Sequence, residues 1–439
     1  MSDPKRNTVR TFYLLTITQV LSIIGSMMTS VALGIRIFAD TGNSTPLLLA
    51  SFFSALPTMV AGSFAGVLVD RWERRRVLIL SDVGQATGTL LLLISFSLGR
   101  FQLWQLYVVA CIQGLFGMIQ RPAMEATVGL LVPPAQLDRA NVIRQVTGPT
   151  AGIVAPVIAG LLYSFVGVTG VMGLDLATFA VAVAVLAIIP LPHTASLSTH
   201  AGPSNVMAEF RDGFTFLWQR KTLFFLMIYA ALLNFLLSGP MSLTTPYIIT
   251  ITGSERMLGL LLGTMNSGIV VGGILIAIWG GTRPRIHGIM LGLLFRALWF
   301  AIYGVARTPL TLALALFFVY FTNPLVDASF ASLLQLKVPR QLQGRVFALL
   351  FQMMYIANPL SLLLTGPLVD RLLEPSVGRS GWQLVAPLVG SVRGSGMGLL
   401  MVVAGLLIFV LTLGVYLHPA TRRVEVDLPD ANLPADPKT

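Results

Sequence analysis

Twelve apolar stretches recur along this sequence, at about 12–37, 46–69, 77–98, 103–124, 142–165, 170–190, 222–247, 257–279, 287–305, 309–332, 345–369 and 395–417. Each is long enough to cross a bilayer once, which takes roughly 20 helical residues. A hydrocarbon layer offers the backbone no water, so only helices and closed barrels cross it. None of the stretches shows the alternation of about ten residues that marks a barrel strand. Composition agrees, with 55% apolar and 11% charged residues in 439, where a globular protein carries roughly 25% charged. Such a chain cannot clothe a soluble surface, and a disordered chain is excluded as well. The first stretch follows the polar tail Met1–Arg10 and is too long for a signal-peptide core, so it is expected to remain as a span. The single Cys111 lies in an apolar run and allows no intrachain disulfide.

Lys and Arg set the orientation, because cytoplasmic loops of membrane proteins collect them. With the N-terminus inside, the inner segments hold 21 of them and the outer segments 7, leaving Arg296 within span nine. Both termini are therefore expected in the cytoplasm. The formal net charge of +11 is explained by this bias, and no nucleic-acid partner is needed to account for it.

The longest inner connection separates six spans from six. The expected organisation is an N-terminal six-helix half at 1–190, a cytoplasmic linker at 191–221, a C-terminal half at 222–417 and a cytoplasmic tail at 418–439. Within the linker, Val206, Phe210, Phe214 and Leu217 recur at helical spacing beside Glu209, Arg211 and Asp212, the pattern of an amphipathic helix on the inner surface. The halves also echo each other. Arg121-Pro122-Ala123-Met124-Glu125-Ala126 answers Asn323-Pro324-Leu325-Val326-Asp327-Ala328 at an offset of 202, and Val132-Pro133 answers Val338-Pro339 at 206. This suggests a parallel repeat about an axis normal to the membrane, with a binding site near the midplane.

Between spans two and three the chain reads Gly66-Val67-Leu68-Val69-Asp70-Arg71-Trp72-Glu73-Arg74-Arg75-Arg76. Gly66 permits close helix packing, Asp70 ends a helix, and the arginines suit an inner loop against anionic lipid heads. With its order and the twelve spans, the sequence resembles the major facilitator superfamily. More narrowly it is similar to bacterial macrolide-efflux and enterobactin-exporter-like permeases. The carrying segments are Gln19–Ser26, Arg121-Pro122-Ala123, Leu174–Phe179, Asn234-Phe235-Leu236, Gly366–Arg371 with Glu374-Pro375, and Arg393–Gly398. The resemblance implies an all-α polytopic fold of twelve transmembrane helices in two pseudo-symmetric halves. It also implies that Gly66, Asp70, Arg71, Arg74 and Arg75 form a signature loop and conformational relay. Two departures bear on coupling. Ala110 and Gln113-Gly114 stand where many proton-coupled drug exporters carry an arginine in span four, and the second-half copy of the loop, Gly280-Gly281-Thr282-Arg283-Pro284-Arg285, lacks its acid.

Ionisable residues within spans are costly and point to function. Asp327, Glu125, Arg121, Asp82 and Asp175 are the candidates for proton coupling. Arg121 and Glu125 can also pair on one helix face near the inner end, and packing or capping would account structurally for Asp82 and Asp175. Arg296 suits a buried pairing, a lipid-phosphate contact or substrate binding. Spans one, four, seven and ten line the central path by resemblance, and Ser22, Gln113, Asn234 and Tyr320 lie near their centres as candidates for a substrate cavity. Interhelical hydrogen bonding is the structural alternative. Met27, Met28, Met118, Met265 and Met353 could form a pliable wall or simply fill cores.

His193, His200, His287 and His418 fall in loops or at span ends, so no metal site is expected. The chain also lacks a phosphate-binding loop and a Ser-His-Asp order, so neither a cofactor nor an enzymatic activity is expected. The expected function is secondary active transport, namely proton-coupled export of an amphipathic small molecule such as a drug, macrolide or siderophore by alternating access. Import, or lysophospholipid flipping, by the same fold is the alternative. The expected setting is a bacterial inner membrane, with substrate, protons and lipid as partners; the sequence does not fix an oligomeric state, and a monomer suffices for this function.

Overall fold

The computed structural model describes residues 4–132, 137–189, 206–428 and 430, and every regular element among them is helical. The helices in chain order are α1 (Pro4–Thr41), α2 (Thr45–Arg71), α3 (Arg74–Ser97), α4 (Leu103–Leu131) and α5 (Leu137–Ile188). They continue with α6 (Val206–Gln219), α7 (Lys221–Ser242), α8 (Thr244–Thr252), α9 (Glu255–Trp279) and α10 (Arg285–Val305). The series ends with α11 (Pro309–Phe321), α12 (Asn323–Lys337), α13 (Arg340–Pro367) and α14 (Ser395–Leu417).

Among the described residues, eleven helical segments are long and apolar enough to cross a membrane. The longest, Thr147–Ile188, has 42 residues, about twice what one crossing needs. It is interrupted by Gly167, whose φ of 62° and ψ of −171° are non-helical. A backbone at positive φ suits glycine because it has no Cβ to clash. Read as two crossings joined at Gly167, this segment brings eleven to twelve. Span ten divides as well, α11 ending at Phe321 and α12 starting at Asn323 with Pro324 in its first turn. Pro324 has no N–H to give the preceding turn, so it begins a helix more readily than it continues one.

Large apolar side chains cover the helix exteriors: Ile188 and Ile278 are each 81% exposed, and Leu260, Val271, Ile274, Leu406 and Val410 are exposed too. Water would make such a surface aggregate, whereas acyl chains solvate it. The chain is a multi-pass membrane protein.

The helices gather into two compact units. The first comprises α1 to α5, α8, the start of α9 and residues 365–370. Its core includes two apolar clusters of described residues. One contains Phe12, Leu15, Val77, Leu78, Ile119 and Leu186, the other Met28, Ala32, Leu92, Val109, Ala155 and Met172. Along α1 and α3 the buried polar residues Gln19, Ser22, Ser81, Asp82 and Thr89 lie between them. Helices α2 and α4 meet at backbone distance, because a methyl group on Gly114 would fall on the Ser54 carbonyl. Asp370 caps the start of α2, accepting from the Ser44 N–H at 3.0 Å and the Thr45 N–H at 2.6 Å. These groups are among the orphan donors of a helix N-terminus.

The second unit comprises α6, α7, the remainder of α9, α10 to α12, α13 as far as Leu364, and the chain from Arg371. Helix α10 is its centre, packed on α11, α12 and α14, with Leu293, Ala297, Phe300 and Tyr303 buried. Glu374 caps α14 by accepting from the Gly394 and Met397 N–H groups at 3.1 and 3.0 Å. Helix α6 occupies the stretch read as an amphipathic linker helix. Phe216 and Leu217 are buried while Phe214 and Trp218 are exposed, and Gly213 lies against Arg345 and Leu349 of α13. Its apolar residues are thus shared between protein and surroundings.

Candidate functional site

Two polar tiers run through the first unit. In the lower one Asp82 of α3 is wholly buried. Its Oδ2 accepts from Gln19 Nε2 of α1 at 3.0 Å, and its Oδ1 accepts from Gln120 Nε2 of α4 at 2.6 Å. Gln85 Nε2 donates in turn to Gln120 Oε1 at 2.9 Å. Three helices are tied by one carboxyl group, and both of its oxygens are satisfied by amide N–H groups. In the upper tier Asp175, on the second arm of α5, is 1% exposed. It accepts from Ser26 Oγ of α1 at 3.2 Å and Thr89 Oγ1 of α3 at 3.3 Å, and Gln113 Nε2 of α4 donates to Thr89 Oγ1 at 3.3 Å.

The tiers repeat at seven residues on three helices: Gln19 and Ser26, Asp82 and Thr89, Gln120 and Gln113. Seven residues are about two helical turns, so each pair shares a helix face. A cavity of about 810 Å³ opens beside the lower tier, lined by Thr16, Gln19, Gly117, Gln120, Arg121 and Glu125 among others. The glutamines that hold Asp82 therefore form part of this cavity's wall.

The second unit has a cavity of its own, about 660 Å³ in volume. Its wall is mostly Leu, Ile, Met and Phe, including Leu233, Ile289, Leu293, Phe347, Phe351 and Met354. Six polar side chains enter that wall, Asn234, Arg296, Tyr320 and Asp327 together with Tyr229 and Ser238. Arg296 interacts electrostatically with both Tyr320 and Asp327, and its Nε is buried without a hydrogen-bond partner. Asp327 is exposed to the cavity. An apolar cleft with a few convergent polar groups is the usual form of a small-molecule site.

The residues singled out from the sequence divide as follows. Asn234, Tyr320 and Asp327 come together in the second cavity, with Arg296 as a fourth member. Arg121 and Glu125 pair at 3.5 Å with side chains 84% and 52% exposed, on the wall of the first cavity. Ser22 is buried on α1 between the tiers, and Gln113 serves the upper tier. Gly66, Asp70 and Arg71 lie on the α2 backbone, and their side chains fall outside those described. Arg75 donates from Nε to the Leu186 carbonyl at 3.0 Å and from Nη2 to the Ala187 carbonyl, which satisfies the carbonyl end of α5. Arg74 is half-buried. Sequence reasoning missed the glutamines around Asp82 and the hydroxyls around Asp175, although their seven-residue spacing was there to be read. Among the described residues no three His, Cys, Asp or Glu side chains cluster as a metal site would require.

The sequence profile of the Major Facilitator Superfamily matches residues 15–362. The chain belongs to this superfamily. Macrolide efflux protein A of Streptococcus pyogenes is 27% identical over 386 residues, covering 85% of this chain and 92% of that protein. The multidrug efflux pump Tap of Mycolicibacterium fortuitum is 24% identical over 359 residues, 79% and 86% of the respective chains. Two solved structures share the fold. A variant of the nucleoside transporter NupG superimposes with a TM-score of 0.72 at 13% identity, over 92% of this chain and 99% of that one. An inward-facing bacterial homologue of the human lysosomal transporter Spinster gives 0.70 at 16%, over 96% and 98%. This major facilitator chain is a membrane transporter of small molecules.

Proposed function

We propose that this transporter exports amphipathic small molecules across a bacterial inner membrane by alternating access, in exchange for protons. The observation that carries the reading is the cavity of the second unit, where a mostly apolar wall meets Asn234, Arg296, Tyr320 and Asp327. Apolar surface binds the body of a drug-like molecule through burial, and the polar corner orients its charged or hydroxylated end. The relatives named for macrolide and multidrug efflux support the substrate class and direction. The bias of Lys and Arg supports cytoplasmic termini.

Asp327 is the principal candidate for coupling in this reading. A carboxylate open to the cavity can accept a proton or face a cationic substrate group, and the two compete for the same oxygens. Loading of one then accompanies release of the other, which is the elementary requirement of exchange. Glu125, paired with Arg121 on the first cavity, is the second candidate. Asp327→Asn is expected to abolish accumulation driven by a pH gradient in proteoliposomes while sparing substrate counterflow without a gradient. Retention of gradient-driven accumulation would remove Asp327 from the coupling role. A fluorescent lysophospholipid in the same vesicles distinguishes flipping from export.

A further inference from the structure

The hexapeptide Gly66-Val67-Leu68-Val69-Asp70-Arg71, which closes α2, has a second copy in the chain. Gly366-Pro367-Leu368-Val369-Asp370-Arg371 matches it at five of six positions and lies near the end of the span that α13 begins. The stretch at 280–285 has lost its acid, whereas this copy keeps it. The acid is engaged. Asp370 accepts from the Ser44 N–H at 3.0 Å, the Thr45 N–H at 2.6 Å and the Thr45 hydroxyl at 2.5 Å. One turn earlier, a methyl group on Gly366 would stand 2.9 Å from Thr45 Cα, so two backbones meet beside the carboxylate. Asp370 itself lies in a π-helical turn, Leu368–Leu373, a rare form that concentrates at functional sites. Of this span, residues 365–370 gather with the first unit, while the chain before and after them belongs to the second. Four residues on, Glu374 caps α14 within the second unit. Neighbouring acids of one segment thus hold different partners.

In the two-half organisation expected from the sequence, α2 belongs to the first six spans and Asp370 to the last six. Alternating access, on which this inference rests, requires contacts between the halves at one membrane face to form and break in turn. A carboxylate on the first N–H groups of a helix suits that task. Charge-assisted hydrogen bonds and the helix dipole stabilise the joined form. These N–H groups have no partner within their own helix, so release breaks no helical hydrogen bond. Both sides lie at span ends, where water can solvate them once they part, and neither is left buried and unpaired. We propose that Asp370 is a conformational latch, joining the last six spans to the start of α2 in this structure and releasing it when the transporter opens at that face. In the orientation proposed above, the face is external. The latch involves neither substrate nor proton, so its failure and that of the export reading are distinguishable.

The test is the distance between spin labels on Asn43→Cys and Leu372→Cys, two exposed positions beside the contact, in a Cys111→Ser background. It is measured by pulsed electron resonance on the full chain in nanodiscs without substrate. In Asp370→Asn the separated form is expected to gain about tenfold over the joined one, the scale of losing hydrogen bonds to a charged group. Gly366→Leu, which wedges the backbones apart with the acid intact, should shift the distances the same way. Glu374→Gln, which weakens a cap inside the second unit, should lower Tm and leave the distances unchanged. A static fastener would give Asp370→Asn a lower Tm with unchanged distances, and that result overturns the proposal. So does an unchanged distribution in Gly366→Leu, which decides the matter where Asp370→Asn fails to fold. An equal shift in Glu374→Gln overturns it as well.

Discussion

Asp82, Asp175, Asp327 and Asp370 meet four different surroundings: amide donors, hydroxyls, a cavity beside an arginine, and two backbone N–H groups at a helix start. The same side chain is thereby assigned four tasks by its neighbours. For Asp82 the donor count makes a sharp prediction. Asp82→Asn turns one acceptor into an amide N–H. Whichever glutamine turns round to accept it gives up a bond, Gln120 the one from Gln85 and Gln19 the one from Gln120, leaving a buried N–H without its acceptor. A buried donor without an acceptor costs about 1–3 kcal/mol. Asp82→Asn should therefore lower the unfolding midpoint measurably, while Asp82→Glu tests whether a carboxylate one methylene longer can still reach both glutamines. An unchanged midpoint in Asp82→Asn would show that the lower tier does not hold α1, α3 and α4 together.

At the scale of elements, helix contact without a hydrophobic driving force depends on small residues that let backbones approach. Gly114→Ala would press a methyl group onto the Ser54 carbonyl, and overpacking of this kind costs about 1–3 kcal/mol. Gly173, also in a helix, would place its methyl in open space, so Gly173→Ala should be neutral or stabilising by about 0.4–1 kcal/mol. Unfolding of the two variants side by side separates packing from general glycine effects, and equal midpoints would contradict the close approach of α2 and α4. The helices themselves were legible in the sequence because an apolar run of crossing length has few alternatives. Their interruptions were less so. Gly167 falls in the expected gap between spans five and six, yet helical hydrogen bonding flanks it closely enough to make one continuous element. Pro324 was read as part of a repeat and proves to start a helix. In the matching stretch, Pro122 lies inside α4 without ending it, so a proline alone does not settle a boundary. The candidate site was legible in part. Asp327, Asn234 and Tyr320 were named, but their convergence with Arg296 depends on the rotation of α7, α10, α11 and α12 about their axes. Packing sets that rotation, and periodicity in a uniformly apolar run does not reveal it.

At the scale of the whole molecule, each of the two units carries a cavity of its own, and the chain's basic residues favour one side of the membrane. The count of 21 against 7 predicts that a reporter fused after Thr439 is cytoplasmic and one inserted near Asn43 is external. The opposite pattern of reporter activity would reverse every loop assignment. Exchange of substrate against protons is tested by the sign of a pH gradient. Whichever way the protein inserts into liposomes, exchange loads substrate into an acidic lumen, whereas co-transport loads an alkaline one. The direct measurement is uptake of a radiolabelled macrolide or another cationic amphiphile by proteoliposomes with the gradient imposed in each direction. Accumulation is expected only with the lumen acidic, collapsing on addition of a protonophore and absent in Glu125→Gln/Asp327→Asn. Accumulation with the lumen alkaline, or uptake indifferent to the gradient, would contradict exchange.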